Sequence, residues 1–103
     1  MIARIWRGRV PASKADAYNE YLQKTGYSDY QSTPGNQGVY SLRRIKGDEA
    51  EFLLITLWDS YESIKKFAGE DYEKARYYAE DKDFLLEFEE HVSHFEVLMK
   101  PGS

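Results

Sequence analysis

Proton transfer near neutral pH would have to run through two side chains of this chain. His91 and His94 are its only imidazoles, and imidazole is the side chain that titrates between pH 5 and 8 without help. His94 falls inside the alternating stretch Val92–Met99, with His91 just ahead of it. It can serve as a general acid or base. The alternative is a hydrogen-bonded histidine at a sheet edge or a dimer contact. Three apart on a strand, the two point to opposite faces and do not converge on one metal ion, so no metal is expected. Arg4 and Trp6 share a face of the first strand. Together they can hold an anionic oxygen and stack on the ring that carries it. Alternatively, Arg4 pairs with one of the 18 acidic residues. Arg43 and Arg44 are adjacent and face opposite ways, so at most one reaches a pocket. Tyr72, Tyr77 and Tyr78 can line a cavity and donate hydroxyls, or form a half-exposed cover over a sheet. Glu87, Glu89 and Glu90 have no orienting partner and read as a solvated surface.

These residues need elements to position them. Phe52–Trp58 is almost unbroken apolar sequence, the pattern of a strand buried on both faces. Trp58 at its end reads as core. Asp59 or Ser60 then caps a helix with Tyr61, Ile64, Phe67 and Ala68 on its apolar stripe, and Gly69 ends it. Asp71 caps a second short helical run carrying Tyr72, Ala75 and Arg76, and the two-helix segment runs to about Asp81. Upstream, Ile2–Val10 alternates as a strand closed by Pro11. Ser13 and Asp16 resemble a capping box ahead of a helix with Ala15, Tyr18, Tyr21 and Leu22 on one stripe. Gly26 ends or bends that helix, and Tyr27–Gly38 is rich in turn formers and reads mostly as loop. Val39–Ile45, the turn Lys46–Gly47–Asp48 and the Glu51 strand make a hairpin. Phe84–Phe88 is a short apolar block, Val92–Met99 the last strand, and Pro101–Ser103 a frayed tail. The whole chain, 1–103, reads as one domain.

The order β, α, β, β, α, β is the ferredoxin-like pattern: an α+β fold with a four-stranded antiparallel sheet and two helices on one face. The helices cover only that face. The third strand, however, is apolar on both, with Phe52, Leu54 and Trp58 on one side and Leu53, Ile55 and Leu57 on the other. A second copy of the chain is the simplest cover, so a homodimer is expected.

Composition narrows the partners. A net charge of -4 argues against nucleic acid and anionic membrane. Nine tyrosines exceed what a small core needs, which suggests a cavity or an interface. The absence of cysteine rules out disulfides and thiolate catalysis. No leader or membrane span is visible, and a soluble cytoplasmic protein is expected.

Five segments carry a resemblance: MIARIWRGRV, TPGNQGVYSLRR, LITLWDS, IKKFAGEDYEKAR and HVSHFEV. Together they resemble the antibiotic biosynthesis monooxygenase (ABM) family of the dimeric α+β barrel superfamily, over nearly the whole chain. The resemblance implies a dimer and a pocket between each sheet and its own helices. It extends to three kinds of protein. Some members form quinones from flat phenolic compounds with oxygen and no metal or flavin, so no cofactor is expected. Some degrade haem. Others have no assigned reaction. Haem-degrading members use an Asn on the first strand, a Trp on the helix after the LTLW-like strand and a His about ten residues later. Those positions fall at Trp6 or Arg7, at Phe67 and at or beside Arg76, and none keeps its residue type. A guanidinium cannot replace an imidazole on iron, so haem degradation is not expected. The quinone-forming members use a pocket of Trp, Tyr, Asn and Arg. This chain can supply Trp6, Phe67, Tyr77 and Tyr78 as lining, Arg4 and Arg76 to favour a phenolate, and His94 as the base. The competing expectation is a non-catalytic small-molecule-binding or stress-related protein on the same scaffold.

Overall fold

The computed structural model describes residues 1–101. The expected frayed tail falls mainly on residues 102 and 103, outside the described residues. The elements run β1 (Ile2–Pro11), a 3-10 turn (Ala12–Lys14), α1 (Ala15–Lys24), α2 (Gly26–Ser32), β2 (Asn36–Lys46), β3 (Glu49–Trp58), α3 (Tyr61–Ala68), a 3-10 turn (Ala79–Asp83) and β4 (Ser93–Glu96). The four strands form one antiparallel sheet in the order β2-β3-β1-β4. That is the expected ferredoxin-like α+β arrangement.

β3 is the centre of it. Its even-numbered residues Ala50, Phe52, Leu54, Thr56 and Trp58 are buried against the helices, and Leu53, Ile55 and Leu57 are half-buried on the other face. β1 lies beside it with Ile2, Arg4, Trp6, Gly8 and Val10 turned inward. Gly8 leaves room for a neighbour: a Cβ there would collide with the Trp6 ring. Tyr18 and Leu22 of α1 and Ile64 and Phe67 of α3 complete the core with Trp58, which has no exposed surface. The Ser60 cap is formed, with the Ser63 N–H donating to Ser60 Oγ at 3.2 Å.

Four expectations are corrected. No capping box opens α1, because a 3-10 turn precedes it and its backbone bonds take the first amides. Tyr27–Gly38 is not mostly loop. α2 occupies Gly26–Ser32 because Tyr30 gains burial under Phe67, and that burial outweighs weak local propensity. No second helix follows Asp71. Residues 73–75 instead lie along 90–92, with Val92 N donating to Glu73 O and Ala75 N to Glu90 O, both at 2.8 Å. β4 is only four residues long, since its partner β1 begins at Ile2, opposite Glu96.

Candidate functional site

Arg4 sits on the inward face of β1 near the start of the strand, opposite Thr56 on one side and His94 on the other. It is only 2% exposed. Its Nη2 donates to the Lys74 carbonyl at 3.2 Å, but the buried Nε has no partner. Among the described residues no carboxylate lies within ion-pair distance of it. Burial pulls its pKa down, and nearby Arg76 adds to the pull. A guanidinium still holds its charge there. Desolvating an unpaired cation is costly, so such a group normally comes with a counter-charge.

Phe67 of α3 lies under this cation. Arg4 Cζ is 5.4 Å from the Phe67 ring centre and Arg76 Cζ is 4.8 Å from it. The ring also packs on Tyr30 at 4.7 Å and Trp58 at 5.7 Å. Ring faces attract cations, so one aromatic side chain holds two guanidiniums that would otherwise repel. Arg76 is fixed at the rim: Nη1 donates to the Phe67 carbonyl at 3.0 Å and Nη2 meets Asp29 at 3.3 Å. Asp29 also accepts from the Tyr78 hydroxyl, and Arg76 lies 5.2 Å from the Tyr78 ring. Burial is the main reason the Tyr78 phenol titrates well above its usual range. The two arginines thus differ. Arg76 is neutralised by Asp29, and Arg4 is not.

His94 carries the second orphaned nitrogen. Its ring meets Tyr72 edge-on at 5.3 Å and lies tilted 5.9 Å from Tyr61, and its buried Nε2 has no partner. Burial, then the charge of Arg4, lowers its pKa, with Glu73 opposing. It is therefore a neutral imidazole at pH 7 beside a cation.

Trp6 and Tyr77 stand apart from this group. The Trp6 ring turns toward Gly8 and Leu85 and meets Tyr77 edge-on at 6.2 Å. The Trp6 N–H is buried without a partner of hydrogen-bond geometry. The Tyr77 hydroxyl is close enough to feel that N–H, but gives its own proton to the Glu89 carbonyl at 2.6 Å. The sequence candidates therefore fall into two packed groups. Arg4, Phe67, Arg76, Tyr78 and His94 connect through Arg4 and Phe67, and Trp6 with Tyr77 lies nearer the other end of β1. Arg43 and Arg44 are elsewhere, paired with Asp16 and Glu51. Sequence reasoning missed Tyr30 and Asp29 by reading α2 as loop. Tyr27 and Tyr30, three apart with no Pro until Pro34, were the available signal.

No protein-family model and no curated protein matches the chain, but solved structures do. The haem-degrading protein MhuD from Mycobacterium tuberculosis, with two haems bound in its active site, is 21% identical over 99% of this chain and 100% of its own, with a TM-score of 0.65. A haem-free structure of that haem-degrading protein is 22% identical over 98% of each chain, with a TM-score of 0.64. Rv0793 from the same organism is 15% identical over 98% of each chain, with a TM-score of 0.61. The fold of the chain is the ABM fold. At these identities the likeness extends to architecture alone.

On that scaffold the residues do not suit iron ligation from the helix side. Arg76, at or beside the position the resemblance aligns with the histidine of haem-degrading members, is tied to Asp29 and the Phe67 carbonyl. Among the described residues no group of three His, Asp or Glu side chains is arranged to hold a metal ion, and no helix is long and apolar enough to cross a membrane.

Proposed function

We propose that this protein is an ABM-type monooxygenase without a bound cofactor, acting on an aromatic substrate that carries an ionisable hydroxyl. One observation supports it above the others: the Arg4 guanidinium is buried, charged and without a carboxylate, facing a neutral imidazole across the β1–β4 ladder. A ligand oxygen is the natural counter-charge. His94 Nε2 takes the hydroxyl proton, and the phenolate oxygen accepts from Arg4 Nε. Stabilising that anion activates the ring toward oxygen. The overall change balances with oxygen as sole oxidant. One oxygen atom becomes a ring carbonyl, and the other leaves as water with the hydroxyl proton and the hydrogen of the attacked carbon. Phe67 and Tyr78 supply aromatic surface, and Arg76 adds positive potential at the rim, while Trp6 and Tyr77 pack apart and take no part in the site. A second copy of the chain covers the outer sheet face.

Oxygen uptake with a panel of phenols and naphthols tests this. Uptake that is lost in Arg4→Met and in His94→Gln supports the assignment. Binding without uptake in the wild type would move the protein to the non-catalytic class. The second reading is haem handling, favoured by the shared fold with MhuD. Haem is incubated with the protein and a reductant in air. Loss of the Soret band with iron release, abolished in His94→Ala, would put that reading first.

A further inference from the structure

We propose a second ligand site, between α3, residues 72–73 and β4, that takes a small quaternary ammonium compound. It goes beyond the reaction above and does not depend on it. A cavity of about 370 Å³ opens there, and its lining includes Tyr61, Tyr72, Glu73 and His94. That volume is at the low end of small-molecule sites, which run roughly 300–1,000 Å³. Its floor is fixed backbone, because residues 73–75 are bonded to 90–92.

Three rings form the wall. Tyr61, Tyr72 and His94 have centroids 5.3–5.9 Å apart and planes inclined by 49–77°. Rings at such angles meet as a corner and not as a flat stack. Corners of this kind hold cations whose charge is spread over methyl groups, because ring faces are electron-rich. Tyr72 already draws an ammonium of the chain itself: Lys65 Nζ, which does not line the cavity, is 5.9 Å from its ring centre. Burial and Arg4 keep the His94 imidazole neutral at pH 7, so it serves as a third ring and not as a competing cation. Arg4 itself is on the neighbouring strand and does not line the cavity. The counter-charge is Glu73. It is exposed in the cavity lining, and among the described residues it has no ion-pair partner. The nearby lysines are matched elsewhere, Lys65 by Glu62 at 3.5 Å and Lys74 by Asp71 at 3.2 Å. A primary ammonium is strongly hydrated and needs acceptors for three protons. The wall offers ring faces and one carboxylate instead, which suits a methylated cation.

The probe is choline, titrated with the full chain and followed by its methyl proton resonance, which ring faces move upfield. Two comparisons separate its properties: 3,3-dimethyl-1-butanol has the shape without the charge, and ethanolamine has the charge without the methyl groups. We expect saturable choline binding with an upfield methyl shift, and each comparison roughly tenfold weaker. Tyr72→Leu should weaken choline about tenfold, and Tyr61→Leu, at a position 39% exposed, about threefold. Tyr72→Phe keeps the ring and should bind like the wild type, which tests the wall even where Tyr72→Leu fails to fold. Glu73→Gln should weaken binding about threefold at low salt. Equal binding of the neutral isostere would overturn the proposal, as would choline binding unchanged in Tyr61→Leu and Tyr72→Leu or absent from the wild type. Attachment to phosphatidylcholine vesicles without binding of free choline would overturn the assignment to a small molecule. Oxygen uptake with phenols is read separately, so either result can fail without the other.

Discussion

Arg4 and His94 share a cost that the folded protein bears alone. A buried guanidinium with no carboxylate is expensive, and replacing a buried charge by an apolar side chain of similar length is often neutral or stabilising, by about 1–4 kcal/mol. Arg4→Met should therefore leave the melting temperature unchanged or raise it while removing phenolate binding. A large fall in thermal melts, of the kind a core cavity produces, would make Arg4 structural instead. His94 gives a second test through pH. Burial and Arg4 hold its folded-state pKa below the ordinary 6.5. The unfolded chain then takes up the proton first on acidification, so stability is complete above about 6.5 and falls as pH drops below it. Glu73 faces the imidazole and softens the effect. Between pH 7 and 5 the wild type should lose more stability than His94→Gln, read from melts at each pH. Equal losses would show that His94 is not held neutral.

At the scale of elements, α3 and the turn ahead of β2 fix the site together. Ile64 is fully buried and Phe67 nearly so, and Phe67 carries both arginines. Ile64→Ala should cost about 2–5 kcal/mol and Phe67→Ala about 3–5 kcal/mol in denaturant unfolding. Wild-type stability in both would mean that α3 packs by a different face. Gly35 holds the N-terminus of α3 from the other side. Its carbonyl accepts from the Asp59 N–H at 2.9 Å, its φ is 94°, and a Cβ there would collide with Ser63. Gly35→Ala combines a backbone conformation that disfavours side chains with a steric clash. It should destabilise by more than the roughly 1 kcal/mol of an average point substitution. A melt within a degree or two of wild type would show that the turn can rearrange. α2 contributes through Asp29, which neutralises Arg76 and leaves Arg4 as the unmatched cation.

The whole molecule leaves one sheet face uncovered. Ala3 and Ile5 of β1, Tyr40 and Leu42 of β2, Leu53, Ile55 and Leu57 of β3 and Phe95 of β4 share it by register. Tyr40, Leu42 and Phe95 are each about half exposed. Tyr40 pairs with Ile55 and Leu42 with Leu53, so the apolar positions are contiguous across the two strands. A continuous apolar surface of this kind on a chain with no third layer calls for a partner, and a symmetric copy is the commonest solution. Light scattering should give twice the 12.1 kDa chain mass. Ile55→Glu should shift it to the monomer mass with the fold retained by circular dichroism. A wild-type monomer at micromolar concentration would remove the argument for a barrel.

Element order and the two faces of β3 were legible in the chain, because alternation and three-four spacing are local properties of residues that neighbour one another. The strand read as Glu51–Trp58, the Ser60 cap, the buried stripe of α3 and the pairing of Arg4 and Trp6 on one face all follow from such periods. α2, the extended path of residues 73–75 and the shortness of β4 do not. Each depends on a distant partner: Phe67 for Tyr30, residues 90–92 for 73–75, and the start of β1 for β4. The site divides the same way. Sequence alone picked out Arg4, Arg76, Phe67 and His94 as chemically capable. Only the tertiary structure set the two arginines apart, since burial and the reach of Asp29 decide which cation is left unmatched, and neither is written in the spacing of residues along the chain.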